Sequence, residues 1–379
     1  MVTNDFIIFE RVETMKKFDN LPDIFTFFNG EKVLTALDWE KRRRELKEWF
    51  TEYVFGKYPI GAEKGFSFSV DAVENSDRAI IKRVSMRKDG YEGKFSLFLP
   101  PTVQNPPVLV YAVLKNYEDK FDFNNVDNYE KTPSVTSLPL GAILDRGYAV
   151  AAYFVSAAAP DESEGEKKGI NACLIKEQTP VSARAIAAWS FFAKRIADFL
   201  EKDKSVDVSR MGILGHSRGG KTALYTAATD ERFSFAFVSN SGCTGAAIAR
   251  NNTGEKLKDI NRNFPHWFTE VYKSYSGREE QLPVDFHMLV SLVAPRLLYV
   301  TSSTEDAWAC PENEFASCCY ASEVYSRIYG IKGLVADETP VADKAYHEGN
   351  LAYHIKTGKH SFDYYDWLKC LDFLDKKWK

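Results

Sequence analysis

Met211-Gly-Ile-Leu-Gly-His-Ser-Arg-Gly-Gly-Lys221 is the stretch that decides how this chain is read. Met211 to Leu214 form a short apolar strand pattern. Gly215-His216-Ser217-Arg218-Gly219 then gives G-x-S-x-G, a pattern that lifts a serine hydroxyl above a sheet on a sharp, strained turn. The flanking glycines permit a turn that a Cβ would obstruct. Lys221-Thr-Ala-Leu-Tyr-Thr-Ala-Ala228 continues as a helix whose positive end faces the serine. Five residues alone are a weak signal; the strand–turn–helix setting strengthens them. The plainer alternative is a glycine-rich strand-to-helix turn in some other α/β protein.

The surroundings extend the same pattern. Residues 38–55 predict a charged amphipathic helix with Asp38 as a cap, and the run Lys41-Arg-Arg-Arg44, flanked by glutamates, reads as a solvated face. Residues 66–70, 79–84 and 94–99 alternate as antiparallel strands do. Residues 108–113 and 148–154 are continuous apolar runs, which suit strands buried on both faces. A helix is predicted over about 180–200, further strands at 235–238, 297–301 and 351–355, and a closing helix at 364–378. This alternation argues for a mostly parallel sheet covered by helices on both faces. One α/β domain over 1–379 is expected, with 1–60 as an N-terminal extension packed on it. Asp161-Glu-Ser-Glu-Gly-Glu-Lys-Lys168, the most polar stretch, reads as a surface loop.

Composition bounds the partners. With 379 residues, 45% of them hydrophobic, the chain has ample material for a large core. A net charge of −4 without a basic block excludes nucleic acid and anionic membrane as expected partners. The six cysteines show no C-x-x-C or zinc-finger spacing, so free thiols and no metal are expected. Residues 1–10 lack a basic n-region and carry only a short apolar run, which is not a signal peptide. No run is long enough to span a membrane. As it stands the sequence reads as cytoplasmic; a signal removed ahead of it would make it secreted. A monomer without a cofactor is expected.

A serine that cleaves esters needs a base and an orienting acid, in the order Ser, Asp/Glu, His, each just after a strand. His360 follows the strand at 351–355 through Gly358-Lys-His and is the expected base. His347 lies before that strand and is second choice. His354 falls inside it and reads as packed, and His216 as pointing away from Ser217. Asp306 ends the strand and loop Leu297-Leu-Tyr-Val-Thr-Ser-Ser-Thr-Glu-Asp306 and is the expected acid, with Glu305 as runner-up.

At this point the chain resembles a family, the glucuronoyl esterases of carbohydrate esterase family 15. Gly215-His-Ser-Arg-Gly-Gly-Lys221 is similar to its G-C/H-S-R-x-G-K signature. Asn263-Phe-Pro-His-Trp-Phe268, the run Leu282 to Leu289 with Ala294-Pro-Arg296, Glu305-Asp-Ala-Trp308 and Gly358-Lys-His360 resemble further segments, as does the W-x-x-R-R element near Trp39. The resemblance implies an α/β-hydrolase fold and cleavage of esters between (4-O-methyl-)glucuronic acid on xylan and lignin alcohols. It implies Ser217 as nucleophile, His360 as base, and Arg218 in the oxyanion hole through its N–H and guanidinium. Lys221, Glu255 and Trp308 would contact the sugar. Ser217 and Lys221 stand one helical turn apart, so both are expected to face the pocket mouth. Taken singly, these three residues read rather as an exposed helix lysine, a loop glutamate and a packed tryptophan; together with the motif they read as sugar contacts.

The chain departs from the family pattern at three places. Where some members carry a glutamate in Gln-Glu-Ser-Gly, this chain reads Ser239-Asn-Ser-Gly242, which moves the acid's role to Asp306. W-A-D-P reads Trp308-Ala-Cys-Pro311, so Cys310 replaces a carboxylate. Leu114-Lys-Asn-Tyr-Glu118 stands where an H-G-G-G loop would supply a second oxyanion donor, which puts weight on Arg218. The expected partner is a small carbohydrate ester or xylan fragment. An acetylxylan or other carbohydrate deacetylase with the same triad, and a non-catalytic carbohydrate-binding homologue, are the competing readings.

Overall fold

The computed structural model describes residues 18, 20–114, 138–337 and 339–379. The readings made on residues 1–10 and 115–118 fall outside them. A ten-stranded sheet in the order β1-β2-β3-β5-β4-β6-β7-β8-β10-β9 runs through the described chain. Its strands are β1 (Ser67–Asn75), β2 (Ile80–Lys88), β3 (Tyr91–Leu99), β4 (Pro107–Val113), β5 (Ala149–Phe154), β6 (Asp207–His216), β7 (Phe235–Ser239), β8 (Leu297–Ser303), β9 (Ala345–Tyr346) and β10 (Leu351–Lys356). From β5 to β10 the pairs are parallel. The N-terminal strands β1 to β3 pair antiparallel and join the sheet through β5, as the alternating sequences imply. A short antiparallel strand, β9, closes the opposite edge.

β4 shows why the central runs are apolar throughout. Val108, Val110 and Ala112 enter the core on one face, while Leu109, Tyr111 and Val113 enter the core on the other. The first face is covered by α1 (Ala36–Trp49), α2 (Ala185–Asp203), α3 (Arg218–Thr229) and α4 (Pro311–Tyr329). The second is covered by the helix Leu140–Asp145 and by α5 (Tyr364–Trp378), which buries Trp367, Leu371 and Leu374. Each fully buried side chain of this size contributes roughly 1.5–3 kcal/mol. The six cysteines carry no disulfide.

Three local expectations are corrected. Thr35, not Asp38, caps α1; Asp38 is the reciprocal partner that accepts the Thr35 N–H in a capping box. The α-helix ends at Trp49 and continues to Phe55 as a π-turn. The basic run of α1 is only partly a solvated face: Lys41 and Arg44 are exposed, but Arg42 and Arg43 are buried. Arg42 donates to the Ile24 carbonyl and Arg43 to the Leu292 carbonyl and Glu231. Guanidinium donors can be satisfied inside where a backbone oxygen is presented, and their stems pack as apolar surface.

His287 performs a similar service for the segment before α1, its Nε2–H donating to the Pro22 carbonyl at 3.1 Å. Burial pushes its pKa down to about 4, against the opposing charge of Asp285. An ordinary histidine in the unfolded chain titrates near 6.5, so below that pH the unfolded form takes up the proton first. The stability this residue contributes is complete above about pH 6.5 and is lost as the pH falls towards 4; it amounts to roughly 3 kcal/mol. The melting temperature should therefore fall between pH 7 and pH 4.5, and His287→Asn should flatten that decline. An unchanged slope in the variant would refute the assignment.

Candidate active site

β6 carries the chain to Ser217 at the C-terminal end of the sheet, and α3 starts at the next residue. Ser217 has φ 55° and ψ −123°, a conformation that L-residues rarely adopt. The neighbouring strand holds it there, because the Ser217 N–H donates to the Ser239 carbonyl of β7 at 2.8 Å. Gly215 is required for the turn, since a Cβ there would stand 2.0 Å from the Gly219 oxygen. The Ser217 side chain makes no hydrogen bond to any described residue.

Asp306 and His360 meet as their strand-end positions predict. His360 Nδ1 lies 2.5 Å from Asp306 Oδ2. A carboxylate at Nδ1 puts the proton on that nitrogen and leaves the Nε2 lone pair free to accept another. Asp306 is 5% exposed and also accepts the Ala309 N–H at 3.2 Å. His360 is 42% exposed, so its ring faces solvent on one side. The loops bearing the two residues are tied together: the Glu305 N–H donates to the Gly358 carbonyl and the Gly358 N–H to Thr304. The His360 ring stands 4.5 Å from the ring of His216, the residue before Ser217, which brings His360 over the elbow. His216 stacks on Phe362, and burial, with the nearby His360, depresses its pKa so that it stays neutral.

The remaining histidines are occupied elsewhere. His354 is buried between Tyr299 and Asp366, and His347 meets the same Tyr299 hydroxyl at 2.7 Å. Asn240 donates through Nδ2 to Ser303. Cys310 is buried at the start of α4, beside the Thr253 hydroxyl.

Arg218 is not a free cation. One of its nitrogens donates to Asp161 Oδ2 at 2.5 Å, and its guanidinium stands 5.0 Å from the Phe264 ring and 4.8 Å from the Trp267 ring. The two rings stack on each other at 3.8 Å. Asp161 also accepts from the Trp267 indole and contacts His266 Nε2, both at 2.9 Å. Burial alone would raise the Asp161 pKa; His266, Arg218 and Trp267 together bring it down to about 2. The polar stretch at 161–168 is thus only partly a surface loop, since Asp161 and Glu166 are turned inward, Glu166 onto Arg184. One sequence signal was available for Asp161: it lies in the segment that leaves the C-terminal end of β5, a strand parallel to β4, through the short helix Val155–Ala158, on the side of the sheet where sites gather.

Lys221 is buried rather than at the pocket mouth. Its Nζ donates to the carbonyls of Ser241 and Cys243, the second at 2.6 Å. Burial lowers its pKa, against the charge of Glu255. Glu255 is raised by burial, against Lys221 and the Trp308 indole. The Glu255 N–H donates to the Trp308 carbonyl at 2.9 Å, so the two loops are joined at these residues. The Trp308 side chain is 54% exposed and presents an apolar face outward. A buried lysine, a buried glutamate and an exposed indole are therefore grouped one helical turn beyond Ser217.

Fold and site define an α/β-hydrolase, a carboxylic ester hydrolase in class. Comparison with known proteins narrows this: the family model described as "Glucuronyl esterase, fungi" matches residues 123–329. The chain is 32% identical to carbohydrate esterase MZ0003 of an unknown prokaryotic organism, over 94% of this chain and 89% of that protein. It superposes on a glucuronoyl esterase from Solibacter usitatus with a TM-score of 0.83 and 33% identity, covering 95% of this chain and 98% of the other. A 4-O-methyl-glucuronoyl methylesterase of Podospora anserina is 27% identical over 76% of this chain and 56% of its own length. The chain belongs to the glucuronoyl esterase family, carbohydrate esterase family 15.

The Asp161 contacts generate a test. In Asp161→Asn the carboxylate that fixes Arg218 is lost while the shape remains. Above pH 4 the native pair stabilises the fold, and this contribution disappears as the pH drops from about 4 to 2; it is worth about 2 kcal/mol. The variant should melt at lower temperature than the parent at pH 7, with the difference shrinking at pH 2.5. A difference that is constant with pH would exclude an ionised Asp161.

Proposed function

We propose that this esterase hydrolyses esters of glucuronic or 4-O-methyl-glucuronic acid, on xylan or lignin–carbohydrate fragments. The observation that carries the reading is the group Lys221, Glu255 and Trp308 beside the Ser217 turn. An ammonium and a carboxylate suit sugar hydroxyls, and an exposed indole suits the apolar face of a pyranose. The names of the Podospora and Solibacter relatives support the same substrate class.

In this reading His360 Nε2 takes the proton of Ser217 as its oxygen attacks the ester carbonyl. Asp306 keeps the imidazole in the required tautomer and balances the imidazolium. The tetrahedral oxyanion is met by the Arg218 N–H at the start of α3 and by the guanidinium nitrogens that Asp161 leaves free. The alcohol departs with the proton from His360. Water then adds to the acyl-Ser217 by the reverse route and releases the uronate. Packed against the stacked Phe264 and Trp267 rings and anchored by Asp161, the guanidinium needs little reorganisation when charge develops.

Arg218→Ala should lower kcat by roughly a hundred- to a thousandfold, the usual effect of losing an oxyanion donor, with a smaller change in KM. A change confined to KM would show that Arg218 only binds substrate. On the parent enzyme, kcat/KM for benzyl or methyl glucuronate should exceed that for p-nitrophenyl acetate; the opposite order would favour a deacetylase. Free glucuronate should inhibit competitively, more weakly at high salt, and more strongly than acetate. Equal inhibition by the two acids would remove the sugar contacts from the account.

A further inference from the structure

The helix α4 brings a carboxylate to the floor of the site that the mechanism above does not use. Glu314 is fully buried. Among the described residues no cationic side chain touches it. Its contacts are all donors: the Ser241 hydroxyl at 3.1 Å and the Gly242 N–H at 2.9 Å on Oε1, and the Ser302 hydroxyl at 2.7 Å on Oε2. An ionised carboxylate, which only accepts, matches that set.

The Ser241–Gly242 peptide connects this carboxylate to Lys221. Its carbonyl accepts from Lys221 Nζ, and its N–H donates to Glu314 Oε1. One peptide group is thus held between an ammonium and a carboxylate, with its dipole aligned to both charges. Gly242 has φ +56°, and a Cβ there would meet the Ala309 Cα at 3.1 Å, so this peptide orientation calls for glycine. The Ser241 hydroxyl also accepts the Ala246 N–H at 2.8 Å, which pins the same loop from its far end.

We propose that Glu314 is a positioning residue for sugar recognition, holding Lys221 charged and in place through the Ser241–Gly242 peptide. This rests on the reading of Lys221 as a sugar contact. Lys221 otherwise faces Glu255, Cys243 and Arg218. Glu314 faces Asp306, and Tyr353 and Cys318 lie against it. Burial pushes the Glu314 pKa up to about 7, with Asp306 adding to the rise and the three donors opposing it. Burial lowers Lys221, and the charges of Glu255 and Glu314 counter that. Without the Glu314 charge, Lys221 loses its proton at a lower pH.

The test compares the full-length parent and Glu314→Gln on methyl glucuronate and p-nitrophenyl acetate. Losing a hydrogen bond to a charged group corresponds to roughly a ten- to hundredfold loss, expected in kcat/KM for the glucuronate ester and carried by KM. Activity on p-nitrophenyl acetate should stay within about twofold. The alkaline limb of the glucuronate profile should move to lower pH in the variant. Equal losses on both esters, or an unmoved alkaline limb, would overturn the proposal. A second measurement does not require that Glu314→Gln be stable alone. Lys221→Met leaves a buried carboxylate without its cation, so adding Glu314→Gln should raise the melting temperature of Lys221→Met. A double variant that melts no higher would overturn the coupling. If the parent cleaves p-nitrophenyl acetate but no uronate ester, the proposed substrate fails, while the melting comparison still decides the Lys221–Glu314 pairing.

Discussion

The hydrogen bond from the Ser217 N–H to the Ser239 carbonyl is the constraint on which the site depends. Ser217 sits in a backbone conformation that costs of order 1–3 kcal/mol, and such a conformation persists only where its surroundings over-determine it. Here the surroundings are the parallel pairing of β6 with β7, the contact of Gly215 with Gly219, and the immediate start of α3. Once the turn is held, everything else has a direction. α3 must leave the sheet with its N-terminus at the serine, which sets Arg218 beside it and Lys221 one turn further along. The ends of β8 and β10 lie on the same side of the sheet, which brings Asp306 and His360 to it.

Each of the two cations on that first turn of α3 is matched by a carboxylate from a distant part of the chain. Arg218 meets Asp161 directly, 57 residues away. Lys221 meets Glu314 through a peptide group. Burying an ammonium or guanidinium unpaired would cost several kcal/mol, so a site that places two of them under a neutral ester must supply counter-charges. The manner differs because the tasks differ. A planar guanidinium can give one nitrogen to an anchoring carboxylate and keep others for substrate. An ammonium is compact, and a direct carboxylate partner would compete with a sugar hydroxyl for its protons. Carbonyl oxygens on one side, backed by a carboxylate on the far side of the peptide, hold it with less competition.

These couplings also explain what was legible in the sequence. The elbow reads out locally, since its glycines, serine and helix start are contiguous. His360 and Asp306 read out because strand ends in a parallel sheet converge, so order along the chain stands in for position in space. The central strands read out through continuous apolar runs, and β4 buries alternate residues on opposite faces as such runs require. Asp161 did not, because charged neighbours surround it and make a buried carboxylate look like a loop. For Lys221 the sequence implies the pocket mouth and the fold buries it, because helical spacing gives a direction but not a depth. Arg42 and Arg43 misled for a related reason: charge pattern reports composition, whereas their burial depends on carbonyls at Ile24 and Leu292 that only the fold presents. Glu314 lies in a helix with no motif, and its partners come from two strands' ends.

The neutral residue at position 240 follows from the same crowding. Asn240 stands at the end of β7 and donates to Ser303 at the end of β8, beside the loop that bears Asp306. Glu314 lies under the same strand ends and already feels the charge of Asp306. A carboxylate at position 240 would add a third anion to a buried space that holds two, and like charges this close push one another towards the neutral form. With an amide there, Asp306 remains the acid next to His360, and Glu314 remains the counter-charge behind Lys221. Placing the orienting acid on β8 and keeping β7's end uncharged are, on this view, one arrangement rather than two independent departures. It separates the carboxylate that serves the imidazole from the carboxylate that serves the lysine, with a neutral amide between them.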